Sequence, residues 1–153
     1  MIIFEYQLPK YLEVMNEEYG MNKTMEEIRA DMKKFIETGL AVETNTILGK
    51  AYEFIEDEAN SIRVPKWKVD KLLRMSNDYE YSLKLFVVLQ RESDKNNQGG
   101  FNNITYKELT EMIGLDSNSN KDIIYITMTV NALEAYGFIK VKRDGQNISY
   151  IIV

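Results

Sequence analysis

The stretch from Phe138 to Ile152 constrains the fold more than any other part of the sequence. Apolar and polar residues alternate in Phe138–Arg143 and again in Asn147–Ile152, and Asp144-Gly145 lies between the two runs. Alternation with a period of two is typical of a strand that buries one face. Asp-Gly between two such runs is typical of a tight turn. The sequence therefore predicts a two-stranded hairpin.

A short strand and two helices are predicted in front of this hairpin. The strand covers 101–104, and the capping-box motif Thr105-x-x-Glu108 begins a helix that ends at Gly114. A longer amphipathic helix follows and ends at Gly137. The polar residues 116–120 imitate the start of a calcium loop, but Lys121 stands where that loop needs Gly. We interpret them as a capping turn for the longer helix.

The preceding residues 61–100 are predicted to form two further helices. Pro65 is well placed in the first turn of a helix that runs to Met75. A second helix covers 78–91, and the polar, glycine-containing residues 92–100 predict a flexible loop.

This order of elements resembles that of winged helix-turn-helix domains. The stretch Asn131–Ile139 resembles the end of a recognition helix running into the wing, with a Leu, a short polar run, Gly and two apolar residues. The stretch Val64–Ile152 is similar to DNA-binding domains of replication initiators and regulators from Gram-positive plasmids and phages. The polar segment 116–121 makes the turn between the second and third helices longer than usual, which leaves the start of the recognition helix open. The resemblance implies an α+β, mostly helical, winged-helix fold.

The resemblance also implies a set of side chains that contact DNA. A recognition helix presents its N-terminal residues to base edges in the major groove, and basic residues of the wing and of the preceding segment contact phosphates. Thr129 is assigned to the same outer helix face, and Arg63 and Trp67 to the basic segment. For each side chain the alternative is a solvated surface residue. The candidate DNA-binding residues are Ser117, Asn118, Asn120, Lys121, Tyr125, Thr127, Lys142, Arg143, Lys66, Lys68, Lys71 and Arg74.

Charge divides the sequence into an acidic front and a mildly basic back. Residues 1–60 contain 6 basic and 13 acidic side chains, a net charge of −7, and residues 61–153 contain 13 and 11, a net charge of +2. An acidic segment is repelled by phosphates. We therefore predict an interaction unit over 1–60 and a DNA-binding domain over 61–153. Because one weakly basic domain makes few phosphate contacts, we expect a homodimer.

The front of the sequence also aligns with the back. At a constant shift of 98 residues, apolar positions of the helix that begins near Thr24 meet those of the long helix, and Gly39 meets Gly137. The preceding strand aligns at a shift of 100, with Phe4 opposite Ile104. This pattern predicts two tandem winged-helix-like units. The alternative is that any two amphipathic helices ending in Gly align this well.

Absent residue types narrow the function. The sequence has no Cys and no His, which excludes thiolate and imidazole chemistry, so we predict no catalytic site, no metal and no cofactor. We find neither a signal peptide nor an apolar run long enough to span a membrane, so we expect a cytoplasmic protein without membrane contact.

These observations predict a protein that is not an enzyme. It would bind double-stranded DNA sequence-specifically, in replication, partition or transcription control of a plasmid or phage. The alternative is a protein-interaction module of winged-helix shape. Its acidic half would bind a host, replication or partition protein. The aromatic residues Phe4, Tyr6, Tyr11 and Tyr19 suit either an interface or core burial.

Overall fold

The computed structural model describes residues 1–56, 61–75, 79–96 and 100–153. The chain divides into two compact units, unit 1 over Met1–Ser61 and unit 2 over Ile62–Val153. Each unit contains helices and one antiparallel three-stranded sheet. The predicted α+β class is confirmed.

In unit 1 one strand precedes two helices and the other two strands follow them. The strands are paired in the order β1-β3-β2. Its elements are β1 (Ile2–Phe4), a 3-10 helix (Glu5–Gln7), α1 (Leu8–Tyr19), α2 (Met25–Glu37), β2 (Ala41–Thr46) and β3 (Gly49–Phe54).

Unit 2 begins with two helices that have no counterpart in the described part of unit 1. Its strands are paired in the order β4-β6-β5. Its elements are α3 (Lys66–Leu73), α4 (Tyr79–Asn96), β4 (Asn102–Thr105), α5 (Tyr106–Ile113), α6 (Asn120–Ala135), β5 (Ile139–Asp144) and β6 (Asn147–Ile152).

The predicted loop over 92–100 is wrong for residues 92–96, which continue α4. Two side-chain pairs one helical turn apart stabilise this extension of α4. Gln90 donates to Asp94 at 2.8 Å, and Lys95 donates to Glu92 at 3.1 Å. Residues 97–99 lie outside the described part of the chain.

The capping box predicted at Thr105-x-x-Glu108 is confirmed, and so is the second one that the sequence Thr24-x-x-Glu27 predicts. The Thr24 hydroxyl accepts from the Glu27 amide and the Glu27 carboxylate accepts from the Thr24 amide, at 3.2 and 2.8 Å. Thr105 and Glu108 repeat this arrangement at 3.1 and 2.8 Å. Each box satisfies two amides that the first turn of a helix leaves without partners. These caps fix where α2 and α5 begin.

The core of unit 2 forms around α4. Leu85, Phe86 and Leu89 are fully buried against α5, α6 and the sheet. The Phe86 ring meets the ring of Phe138 edge to face, with centroids 5.7 Å apart. The buried Tyr150 hydroxyl donates to the Leu89 carbonyl at 2.8 Å. Helix α4 therefore joins the helices of unit 2 to its sheet.

The core of unit 1 is much smaller. Its buried cluster consists of Ile3, Leu8, Ile28 and Tyr52, with partly buried methionines and aliphatic residues around it. The Tyr52 hydroxyl donates a hydrogen bond to the Glu5 carboxylate. Burial and this hydrogen bond raise the pKa of Tyr52 to about 12. Of the N-terminal aromatic residues, Tyr6 is 62% exposed. Ile2, Leu40, Val42 and Ile55 are also between 47% and 54% exposed, so unit 1 leaves much of its apolar surface uncovered.

The internal repeat extends to the hydrogen bonds of the backbone. Strands β2 and β3 pair from Ala41↔Phe54 to Thr46↔Gly49, and β5 and β6 pair from Ile139↔Ile152 to Asp144↔Asn147. Each residue of a pair in unit 2 has a number 98 higher than its equivalent in unit 1 (139 − 41 and 152 − 54). The two units therefore share one register in this hairpin.

The turn that precedes each hairpin is also shared. Gly39 and Gly137 have positive φ angles of 75° and 80°. The amide after each glycine donates back to the helix: Leu40 to the Phe35 carbonyl at 2.8 Å and Phe138 to the Leu133 carbonyl at 3.0 Å. Glycine adopts this left-handed conformation without strain, which explains its presence at both positions.

The predicted shift of 100 for the first strand is wrong by one residue. Ile3 pairs with Tyr52, and Asn102 pairs with Tyr150, so the shift is 98 in the central strand but 99 in the first (102 − 3). Because successive side chains of a strand point to opposite faces of the sheet, a shift of one residue in the alignment places a side chain on the other face. Phe4 and Ile104 resemble each other in type but do not occupy equivalent positions.

We expect equivalent positions in the two units to respond differently to truncation. Phe138→Ala removes a ring that is 2% exposed and should lower the free energy of unfolding by about 3–5 kcal/mol. Leu40→Ala changes a side chain that is 54% exposed and should cost less than about 0.5 kcal/mol. Urea denaturation followed by circular dichroism measures both. Equal costs would contradict the burial difference.

Candidate nucleic-acid interface

The turn before α6 is held by its own side chains. Ser119 is the N-cap of α6, and its hydroxyl accepts from the Asp122 amide at 3.3 Å. The Ser117 hydroxyl donates to Glu111 at 2.6 Å, and the Asn118 amide donates to Asp116 at 2.9 Å. The structure therefore places the first helical residue at Asn120. Ser117 and Asn118 lie in the capping turn.

The outer face of α6 combines polar and apolar residues. Exposed side chains recur every three or four residues along the helix, as expected for one face. Asn120 and Lys121 lie in its first turn, and Asn131 lies near its far end. Ile124 and Met128 between them are 59% and 64% exposed.

Three other predicted residues of α6 face partly or wholly inward. The half-buried Tyr125 packs edge to face on Tyr81, with ring centroids 5.4 Å apart. The Thr127 hydroxyl donates to the Ile123 carbonyl at 2.8 Å. Thr129 is 8% exposed and bonds to the Tyr125 carbonyl, so its assignment to the outer face is wrong. A hydroxyl that bonds within its own helix is satisfied without solvent, which permits this burial.

An apolar groove along α6 was not anticipated from the sequence. It has a volume of about 490 Å³ and is lined by Tyr81, Leu115, Lys121, Asp122, Ile124, Tyr125 and Met128. The signal was present in the run Ile123–Ile126, which contains more apolar residues than one buried face of a helix needs.

The basic residues of the β5–β6 hairpin behave differently from one another. Lys142 is exposed, and its ammonium lies over the Phe101 ring, 4.1 Å from the centroid. The Arg143 guanidinium turns back to α6, where it donates to Glu134 at 2.6 Å and Asn131 at 2.7 Å. Arg143 pairs with Ile148 within the hairpin, and the turn itself contains Gly145 and Gln146.

Two lysines of α3 bond to the backbone of unit 2. Lys71 donates to the carbonyl of Tyr136, the C-cap of α6, at 2.6 Å, and Lys68 donates to the carbonyl of Val153. A lysine at a helix C-terminus satisfies a carbonyl that has no partner within the helix. Lys66 and Arg74 are exposed, and Trp67 is 61% exposed.

The structure brings only part of the predicted set together. Arg143 joins the hairpin to α6, so these two elements form one surface. Lys71 fixes α3 at the opposite end of α6 from Asn120, which is about 24 Å away for a helix of this length. The basic segment of α3 therefore does not extend the surface at the start of α6.

Two further properties concern the described residues only. They contain no group of three or more acidic, Cys or His side chains able to hold a metal ion. None of the helices they form combines the length and the apolar character needed to cross a membrane.

Comparison with known proteins gives no relatives: no protein-family model, no curated protein and no solved structure matches this chain significantly.

The Arg143–Glu134 pair should make the stability of unit 2 depend on pH. The guanidinium hydrogen bond lowers the pKa of Glu134 below its ordinary 4.5, against the opposing effect of desolvation, and the Val141 amide adds a second bond. A lowered carboxylate pKa stabilises the fold above the ordinary pKa, and this stabilisation disappears as pH falls through the lowered value. Arg143→Met should raise the Glu134 pKa, measured by NMR titration.

Because both groups are partly exposed, the same variant should lose only about 0.5–1 kcal/mol of stability at pH 7. The loss should vanish below the lowered pKa. A Glu134 pKa that is unchanged in Arg143→Met would contradict the assigned cause.

Proposed function

We propose that unit 2 is a winged helix-turn-helix domain that binds double-stranded DNA sequence-specifically and performs no catalysis. Support comes from its element order after α4, strand, helix, helix and hairpin, and from the sheet order β4-β6-β5. In this proposal α6 is the recognition helix and the β5–β6 hairpin is the wing. The Arg143 bonds to α6 set the position of the wing relative to that helix.

The observation that carries the proposal is the exposed first turn of α6. Asn120 and Lys121 project from the N-terminal end of the helix, which is the end that approaches base edges in this class of domain. Asn recognises adenine through two hydrogen bonds, and Lys recognises guanine or phosphate. Ile124 on the same face suits the methyl group of thymine.

The remaining contacts would come from the wing and not from α3. Lys140 and Lys142 are exposed on β5 and suit phosphates. Lys68 and Lys71 are bonded to backbone carbonyls, so we assign them to the stability of unit 2. Arg143 is assigned to positioning the wing.

Unit 1 would remain away from DNA. The exposed Glu26 of α2 is equivalent, at the shift of 98, to Ile124 of α6, and Lys23 is bonded to Asp31 at 2.6 Å. Carboxylates on this face repel phosphates. We further propose that the chain acts as a cytoplasmic homodimer in replication, partition or transcription control of a plasmid or phage, since few cations of unit 2 contact DNA.

The apolar groove favours a second candidate function. Ile124 and Met128 expose aliphatic surface next to Leu115 and the Tyr81–Tyr125 pair. Exposed apolar surface of this kind marks protein-binding sites. In this alternative, unit 2 keeps the winged-helix shape and α6 binds a replication or partition protein.

Charge reversal in the first turn of α6 tests DNA binding. Lys121→Glu should weaken binding of a duplex by roughly 10- to 100-fold, because it removes one contact and places a carboxylate against phosphates. Fluorescence anisotropy at two salt concentrations measures the affinity. Lys10→Glu is the matched control, since it makes the same change of net charge on an exposed lysine of unit 1.

Two results would overturn the DNA-binding proposal. The first is a failure to bind any duplex from a random library below micromolar concentration at low salt. The second is an equal loss of affinity in the two variants, which would indicate a response to net charge alone.

Met128→Glu separates the two candidate functions. If the groove binds a protein, this variant should abolish a stoichiometric, DNA-independent complex with a purified replication or partition protein, while Lys140→Ala, which does not line the groove, retains it. If unit 2 binds DNA, Lys140→Ala should lower duplex affinity. A complex that survives Met128→Glu would exclude the groove as its site.

A further inference from the structure

The outer face of the unit 1 sheet is unusually apolar. Val42, Glu53 and Ile2 lie side by side across β2, β3 and β1. Leu40 and Ile55 continue β2 and β3 by one residue, with the Ile55 amide donating to the Leu40 carbonyl at 3.0 Å. Because side chains alternate along a strand, these residues share the face that points away from Ile3 and Tyr52.

We call Ile2, Leu40, Val42 and Ile55 the aliphatic face. Their side chains are 54, 54, 47 and 53% exposed. The solvent-facing side of an antiparallel sheet is normally polar. The equivalent of Val42 in unit 2 is Lys140, which follows that rule. An exposed group of four aliphatic side chains on a small unit is therefore a sign of an interaction surface.

The internal repeat shows what covers the end of this face in unit 2. Leu40 is equivalent to Phe138, which is 2% exposed because Phe86 of α4 packs on its ring and the Lys71 ammonium of α3 lies 5.1 Å from its centroid. Lys68 of α3 donates to the carbonyl of Val153, the equivalent of Ile55. The same place in unit 1 has no covering helix among the described residues.

The chemistry of α3 defines the occupant. It is a basic amphipathic helix that contributes a fully buried Leu72 and two lysines that bond to backbone carbonyls. In unit 1 the equivalent carbonyls are those of Thr38 and Ile55. The exposed Glu53 lies within the aliphatic face, and the exposed Glu56, which pairs with the Met1 ammonium at 3.8 Å, follows Ile55. The net charge of residues 1–60 is −7. Lysines of a partner helix would be attracted there.

We infer that the aliphatic face of unit 1 binds a basic amphipathic helix of another protein, in the position that α3 occupies in unit 2. A second copy of this chain is a poor occupant, because two faces of the same negative charge repel each other and α3 of each copy is bonded within its own unit. The homodimer proposed above would use a different surface. The inference does not depend on DNA binding by unit 2.

The experiment uses the full chain and a defined peptide. The sequence contains no Cys, so Leu40→Cys introduces a single thiol for an environment-sensitive dye. The probe is an acetylated, amidated peptide with the sequence Pro65–Met75 of this chain. Titration should shift the dye emission to the blue in a saturable manner. A peptide in which Lys66, Lys68, Lys71 and Arg74 are all replaced by Glu should give no shift.

Matched variants test the location of the bound peptide. Val42→Lys, combined with the labelled Leu40→Cys, removes an aliphatic contact and places a like charge against the basic peptide, so it should weaken binding by about tenfold or more. Ile47→Lys should leave binding unchanged, because Ile47 is a fully exposed aliphatic residue at the hairpin tip, away from the aliphatic face. A dye placed at Ile47→Cys should not respond.

Four results would overturn the inference. They are no response up to about 1 mM peptide, an equal response to the charge-reversed peptide, equal effects of Val42→Lys and Ile47→Lys, and a blue shift that grows with protein concentration in the absence of peptide. The last result would identify a second copy as the occupant. None of them bears on whether duplex DNA binds to unit 2.

Discussion

The edge-to-face contact between Phe86 and Phe138 is the interaction on which unit 2 depends. Phe138 directly follows the left-handed turn at Gly137, so burying its ring fixes the direction in which the chain leaves α6. That direction sets the course of β5, and β5 places Arg143 within reach of Asn131 and Glu134. The ring contact and the Arg143 bonds together make the outer face of α6 and the hairpin one surface.

Most of the fold was predictable from local patterns. Capping boxes, glycines after amphipathic helices and the Asp144-Gly145 turn each act over a few residues, and the structure contains the predicted elements at nearly the predicted bounds. The errors arose where contacts other than the local sequence pattern determine the strand register or the end of a helix. The strand shift of β1 depends on its register with β3, which similarity of residue type does not report. Helix α4 extends through polar residues whose side-chain pairs appear only once the helix has formed.

The candidate site was less predictable than the fold, because charge in a sequence does not say what a side chain already binds. Lys68, Lys71 and Arg143 look like free cations in the sequence, but each has an acceptor in unit 2. Thr129 looks like an outer-face residue, but its hydroxyl bonds within α6 and permits burial. Asn120 and Lys121 are exposed in the first turn of α6, and the exposed neighbours Ile124 and Met128 make the same surface partly apolar.

The two hairpins have the same strand pairing but different residues at their tips. Thr46↔Gly49 and Asp144↔Asn147 are equivalent closing pairs, yet the two residues between them are Ile47-Leu48 in one unit and Gly145-Gln146 in the other. The positive φ angle lies at Gly49 in unit 1 and at Gly145 in unit 2. Ile47 is fully exposed, so its side chain contributes nothing to the packing of unit 1. The two units therefore reach the same strand register through different turns, and a change of tip sequence in either unit must keep the glycine that its own turn requires.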